Sequence, residues 1–413
     1  MTLLVCSPAA VGFADLRLAV ISPFVDRSHG TERALAELLE RLARRYRCEI
    51  HLYSQSVADL AIRSPNDAHD ERAGAIFWHK VPAIGVPQLI RFMWWLAANA
   101  SIRRFDALFA HRSIDLVLSP GINCLNPDVV IVHALFHRLH ELSRIDTSDR
   151  LGNPGFFRAL HRSAYYGLLA RLERFVYRRP SVHLAAVSPR TANLLARYFQ
   201  REASLIPNGV DTCQFSVQAR VVGRKQARDV RGYRDEDFVL LLIGNDWRIK
   251  GLPTILAAMA AAPTLPLRLL IVGSDSAAPF KELANGLGVA DRCRWETPQR
   301  NAIDLYAAAD VYVSPSREDS FGLPVAEAMA CGLPAITSVF AGVCSQMRDG
   351  VDGFVLREPE DAAALAALIG QLYSDEPLRH RIGDAAALAA QSWTWEHSAE
   401  ALWELLQAVV QEK

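Results

Sequence analysis

Residues Ser316–Pro334 read SREDSFGLPVAEAMACGLP, and the fold turns on that stretch. It follows a β-branched and aromatic run, Val311–Ser314, and leads into a segment with Pro324 in its first turn. Proline is tolerated there because its missing N–H is one that a helix start leaves unpaired anyway. Val325–Ala330 continues the helix, and Gly332 stands where it should stop. A strand, a glycine-bearing turn and a helix in that order mark the carboxyl edge of a parallel sheet, where ligands bind. Asp319 and Glu327 flank the turn, and Gly322 leaves room for backbone amides to approach a ligand. The helix start offers free N–H groups and the positive end of the helix dipole, which favour a phosphate. The carboxylates suit ribose hydroxyls. A solvent-facing acidic turn with an ordinary cap has the same spacing.

Outward from that stretch, short apolar runs alternate with helical patterns. The same half of the chain holds Phe238–Ile243, Leu267–Gly273, Arg292–Trp295, Ala335–Thr337 and Gly353–Leu356. The earlier half holds Leu16–Ser22, Glu49–Ser54, Ala75–His79, Asp115–Ser119, Val129–His133 and His183–Ser188. Several are continuous leucine-rich or β-branched runs, as strands buried on both faces should be. Thr31 is placed to cap a helix whose Ala34, Leu35, Leu38, Leu39 and Leu42 share one face. Pro253 starts another helix before Ile255, Leu256 and Met259. The alternation predicts an α/β chain with parallel sheets covered on both sides. About a dozen strands are too many for one compact sheet of this kind, so two doubly wound domains are expected. The turn-rich Ile206–Asp211 (IPNGVD) divides them into 1–205 and 206–392, and 393–411 reads as a final amphipathic helix with Trp395, Leu402, Leu405 and Leu406 inward. No internal repeat is visible.

Composition narrows the function. The 413 residues are 51% apolar and 22% charged, which excludes wholesale disorder. Lys plus Arg balance Asp plus Glu at 45 each, so a general nucleic-acid binder is not expected. All but five of the cations are arginine, which singles out each lysine, Lys250 among them. The seven cysteines are dispersed without a C-x-x-C pair, as reduced thiols in a cytosol would be. The start lacks a basic region before its apolar residues, so no signal peptide is expected. The most apolar window, Val81–Ile102, is long enough to span a bilayer but carries Pro82, Pro87, Gln88, Arg91 and Asn99. A cytoplasmic protein is expected, with peripheral contact to the inner membrane through Phe92, Trp94, Trp95, Arg103, Arg104 and the basic, aromatic stretch 156–179. Core faces with solvated arginines would give the same composition.

Three further constellations bear on chemistry. Gly244–Gly251 (GNDWRIKG) follows the strand Phe238–Ile243 and brings Arg248 and Lys250 to the mouth of the same sheet, a pair suited to a diphosphate. A charged surface loop is the plainer alternative. Ser22–Leu35 (SPFVDRSHGTERAL) puts Gly30 at a helix start without a G-x-G-x-x-G fingerprint, against a dinucleotide oxidoreductase. His133 ends the strand 129–132; His137 and His140 follow at spacings that only superficially suit a metal, because His133 lies on a strand. No P-loop, G-x-S-x-G or H-E-x-x-H occurs.

Together these residues resemble family 4 of the retaining glycosyltransferases, of GT-B fold. The likeness extends from about Leu16 onward and is carried by the Gly30 loop, His133 in DVVIVHALFH, VSPRT at 187–191, IPNGVD at 206–211, GNDWRIKG and FGLPVAEAMACGLP. It implies two Rossmann-like domains facing across a cleft, with the last helix returning to the first domain. A nucleotide-sugar donor would bind the second domain and most of a glycan or lipid-linked acceptor the first. It implies donor contacts from Gly30, Gly244, Asn245, Glu318, Ser320, Phe321, Gly322, Leu323 and Glu327. Catalytic roles would fall to His133, Arg248, Lys250 and Asp319, with no metal ion and no cofactor. Asp319 is one methylene shorter than the family's usual glutamate, with Glu318 beside it, and Asn245 stands where an arginine is common. A sugar phosphorylase, a nucleotide-sugar epimerase, or an inactive donor-binding paralogue are the alternatives on this fold.

Overall fold

The structure, a computed structural model, describes residues 16–27, 30–63, 74–109, 113–145, 156–299 and 301–413. The chain opens with β1 (Arg17–Ile21), β2 (Phe24–Val25), α1 (Gly30–Tyr46), β3 (Glu49–Ser54), β4 (Ser56–Val57) and β5 (Ala75–Lys80). Then come α2 (Gln88–Phe109), β6 (Leu116–Pro120), β7 (Val129–Val132), α3 (Phe136–Ile145) and α4 (Phe156–Tyr177). β8 (His183–Ala186), α5 (Pro189–Phe199) and β9 (Ser204–Leu205) close the first series. The second begins α6 (Val217–Asp229), β10 (Phe238–Ile243), α7 (Leu252–Ala261), β11 (Leu267–Val272), α8 (Ala278–Gly286) and β12 (Cys293–Glu296). It continues through α9 (Ile303–Ala308), β13 (Val311–Ser314), α10 (Leu323–Ala330), β14 (Ala335–Ser338) and β15 (Phe354–Leu356). Three helices end the chain: α11 (Ala362–Ser374), α12 (Glu376–Ala390) and α13 (Trp395–Glu412).

Two large parallel sheets result, and β2 pairs with β4 in a separate two-stranded one. The first is ordered β5-β3-β1-β6-β7-β8-β9 and the second β12-β11-β10-β13-β14-β15. Each series winds outward from its first strand and then restarts on that strand's other side. This creates a switch point between β1 and β6 and another between β10 and β13. The shared order is an architectural repeat with no trace in the sequence, since strand order is set by crossovers and not by residue identity. β10 (FVLLLI) is buried along nearly its whole length, which is why it reads as an unbroken apolar run. β2, β4 and β9, two residues each, are too short to leave a readable pattern and are absent from the expected strands; the other strands match or differ only at their ends. Thr31 lies inside the first turn of α1, which starts at Gly30, and α2 occupies Gln88–Phe109 of the apolar window. Among the described residues no helix is long and apolar enough to cross a membrane.

The core is continuous between the lobes. One buried cluster runs from Leu35, Leu38 and Leu42 of α1, through Phe321, Val325 and Met329, to Leu402 and Leu406 of α13. The outer face of the second sheet has a separate core around Leu240, Ile255 and Ile369. α13 lies along α1: Tyr46 stacks on Trp403 with ring centroids 4.9 Å apart, and Arg41 pairs with Glu396 at 2.7 Å. The final residue joins in, Lys413 Nζ standing 2.8 Å from Asp128. The last helix, reached from the second sheet through α12, thereby clamps onto the first.

Candidate functional site

The switch point of the second sheet organises the site. Gly244–Gly251 leaves the carboxyl end of β10, and the loop to Gly322 leaves that of its neighbour β13. Gly244 has φ 141°, and a Cβ there would stand 3.2 Å from Lys250 Cε, so glycine lets the lysine stem lie along the loop. Lys250 Nζ meets the Asp319 carboxylate across the two loops. The Asp319 backbone is pinned in turn: its N–H donates to Phe340 O at 3.0 Å, and its carbonyl accepts from Gly342 N at 2.9 Å. Gly322, at φ 95°, then starts α10 in a left-handed conformation with no side-chain cap, its carbonyl accepting from the N–H groups of Val325 and Ala326.

Glu327 lies in α10 and is buried. Its Oε2 accepts from the Tyr306 hydroxyl at 2.5 Å, and its Oε1 takes Arg33 Nη2, from α1 of the opposite lobe. Burial, then the charge of Glu327, hold the Tyr306 phenol well above its ordinary pKa, so it remains a donor.

His133 follows β7, at the carboxyl edge of the first sheet. Burial alone pushes its pKa down to about 4, so the imidazole is neutral near pH 7. Its Nε2 is buried and makes no hydrogen bond. Nearby, the lobes are tied backbone to side chain: Ser320 O accepts from Ser188 Oγ at 2.6 Å and Thr191 Oγ1 at 3.4 Å, both in VSPRT.

These groups open onto one cleft of about 680 Å³ between the lobes. Gly30 and His133 line one wall; Gly244, Asn245 and Lys250 line the other. The run Asp319–Leu323 and Glu327 complete that second wall. Asn245 spends its side-chain oxygen on Ser274 N at 2.8 Å. Two expected residues stand apart. Arg248 is not among the lining residues, and Glu318 turns to Arg190 (2.6 Å) and Arg138 (3.0 Å) of the first lobe. Arg33 and Arg190 lie inside the quoted stretches SPFVDRSHGTERAL and VSPRT without being singled out there, and Tyr306 and Arg138 lie outside every quoted motif. Each earns its place by a partner more than twenty positions away. His137 bonds the buried Glu173 at 2.7 Å, which also accepts the first amides of α3, so it serves that helix start. Among the described residues no cluster of His, Cys, Asp and Glu could hold a metal ion.

Two doubly wound parallel sheets of like strand order, facing across a cleft lined from both switch points, define the GT-B architecture. Comparison with known proteins agrees. The family description "Glycosyltransferase Family 4" matches residues 28–214, and "Glycosyl transferases group 1" matches 223–389. The chain belongs to family 4 of the glycosyltransferases. A D-inositol 3-phosphate glycosyltransferase of Xylanimonas cellulosilytica is 32% identical over 207 residues, 48% of this chain and 49% of that relative. The chain thus spans about half the length of the curated relatives it matches. Two solved structures share the fold at low identity. WaaG, a glycosyltransferase involved in lipopolysaccharide biosynthesis, superposes with a TM-score of 0.73 at 20% identity, covering 94% of this chain and 99% of its own. HepE of Anabaena, solved with UDP-glucose, gives 0.69 at 17% identity, covering 95% and 100%.

Proposed function

We propose that this protein transfers a hexose-type sugar from a nucleoside-diphosphate donor to a glycan, lipid-linked or small-molecule acceptor, with retention of anomeric configuration and without a metal ion. The observation that carries this reading is the convergence of Lys250, Asp319 and Glu327 on one wall of the cleft that His133 and Gly30 face from the other. In such a transfer the difficult event is departure of the nucleoside diphosphate, which builds negative charge on its β-phosphate. Lys250 and the positive N-terminal ends of α1 and α10 are the groups to stabilise it; Arg248, outside the cleft lining, is not one of them. Glu327 takes the ribose hydroxyls, Asp319 falls on the sugar side, and neutral His133 directs its unpartnered Nε2 at the donor sugar. Because these groups come from both lobes, they act together only when the cleft is closed.

The donor assignment draws on family membership and on HepE, a fold neighbour that binds UDP-glucose. The acceptor belongs to cell-envelope polysaccharide or glycolipid synthesis, with the protein peripheral on the cytoplasmic face. What supports this is the exposed side of α2, where Trp94 and Arg104 are joined by Ile90, Arg91, Met93, Phe105 and Leu108; Trp95, also expected there, is buried, and Phe92 packs against the same core. An amphipathic surface of that kind suits anionic lipid. The test is to incubate the protein with UDP-, GDP- and ADP-hexoses, with chelator present, and read the product anomer by NMR. A retained α-linkage from an α-donor is expected, at a rate that EDTA leaves unchanged. Phosphate-dependent cleavage without an acceptor would point to a phosphorylase. Sedimentation with anionic vesicles, lost on changing Phe105 and Leu108 to serine, checks the membrane contact.

A further inference from the structure

The first lobe supplies half the surroundings of the carboxylate that the reading above gives to the ribose. Glu327 is 4% exposed, with Arg33 from α1 on Oε1 and Tyr306 from α9 on Oε2. The grip on the arginine is mutual. Burial works against its cation, but Glu327, Tyr306 and Glu37 outweigh that cost and raise its pKa. Arg33, Tyr306 and Glu327 all line the cleft.

An ionised carboxylate has about four lone-pair sites, two on each oxygen. One donor on each oxygen fixes the torsion of the group and leaves each oxygen a further acceptor site. Two acceptors at fixed separation suit two adjacent hydroxyls, such as the 2′ and 3′ hydroxyls of a ribose. A carboxylate gripped on one oxygen only would rotate and lose that match. Without its cation it would also be a buried charge with no counter-ion.

We propose that Arg33 is a positioning residue: it fixes the Glu327 carboxylate for recognition of the ribose diol, so that reading the ribose requires the first lobe to be in place. This rests on Glu327 meeting the ribose, and the experiment separates the two claims. Calorimetry gives Kd for UDP, GDP and ADP and for their 2′-deoxy counterparts, with the ratio taken for the base that binds tightest. The wild type should prefer the ribonucleotide by about 10- to 100-fold, as expected for a lost hydrogen bond to a charged acceptor. Glu327→Gln should bring the ratio to within about threefold of unity, and Arg33→Met should bring it nearly as far. Arg33→Lys should fall between, since an ammonium keeps the charge but grips at a point. Should Arg33→Met fail to fold, Arg33→Gln, which keeps a neutral donor, should likewise lower the ratio. A merely structural Arg33 would weaken both nucleotides alike, and an unchanged ratio in the Arg33 variants, with a collapsed one in Glu327→Gln, overturns the proposal. A ratio near one in the wild type, or one unmoved by Glu327→Gln, overturns the ribose assignment itself.

Discussion

Lys250 is placed by the residues around it. Gly244 opens the space for its stem, and Asp319 holds its ammonium at the cleft wall. Lys250→Ala should lower kcat at least tenfold, and up to 10²–10³-fold if the lost donor is worth about 3–4 kcal/mol at the departing phosphate. The thermal midpoint should stay within a few degrees, since the ion pair is part-exposed. Equal turnover would remove the diphosphate role. His133 makes a separate prediction through linkage. Its folded pKa, about 4, is below the ordinary 6.5, so between those values the unfolded chain binds a proton the folded chain does not. The neutral imidazole's contribution is therefore whole above pH 6.5 and is lost as pH falls to 4, a change on the order of 3 kcal/mol. Urea unfolding from pH 7 to 4 should show His133→Asn losing less stability than the wild type; parallel curves would contradict the buried, neutral histidine.

At the scale of elements, the longer strands were legible because burial on both faces leaves unbroken apolar runs, as in β10 and β7. The starts of α7 and α10 were legible because Pro253 and Pro324 fix them. The site's own loop, with its left-handed Gly322, could be read from the same stretch of sequence. Glu327's partners could not: Tyr306 lies on α9 and Arg33 on α1, and only packing brings them together. Glu318 shows the same gap. Its neighbour Asp319 faces Lys250, while Glu318 itself turns to two arginines of the first lobe, a divergence that sequence spacing does not contain. The role of α13 is easier to test. Leu406 is fully buried in the cluster shared with α1, so Leu406→Ala should cost about 2–5 kcal/mol by transfer and cavity terms. A loss under about 1 kcal/mol by chemical denaturation would show that the last helix is not part of the common core.

For the whole molecule, the important fact is that the lobes are joined by polar contacts as well as by a shared core. Glu318 reaches Arg138 and Arg190, Ser320 receives Ser188, and Glu327 receives Arg33. Each tie ends on a residue at or beside the proposed donor site, so holding the lobes together and shaping that site are one task. Glu318→Ala would leave two part-buried arginines without their shared counter-ion. It should lower stability by about 1–3 kcal/mol. It should also enlarge the radius of gyration in solution scattering, whereas an unchanged radius would mean the shared core alone sets the arrangement.

The most direct test is calorimetric titration of the wild type and Glu327→Ala with UDP-, GDP- and ADP-hexoses. One of these donors should bind the wild type with a dissociation constant of roughly 100 μM or tighter, and at least tenfold more weakly when the carboxylate is removed. Binding of equal strength by both proteins, or of no donor by the wild type, would contradict a nucleotide sugar held in this cleft.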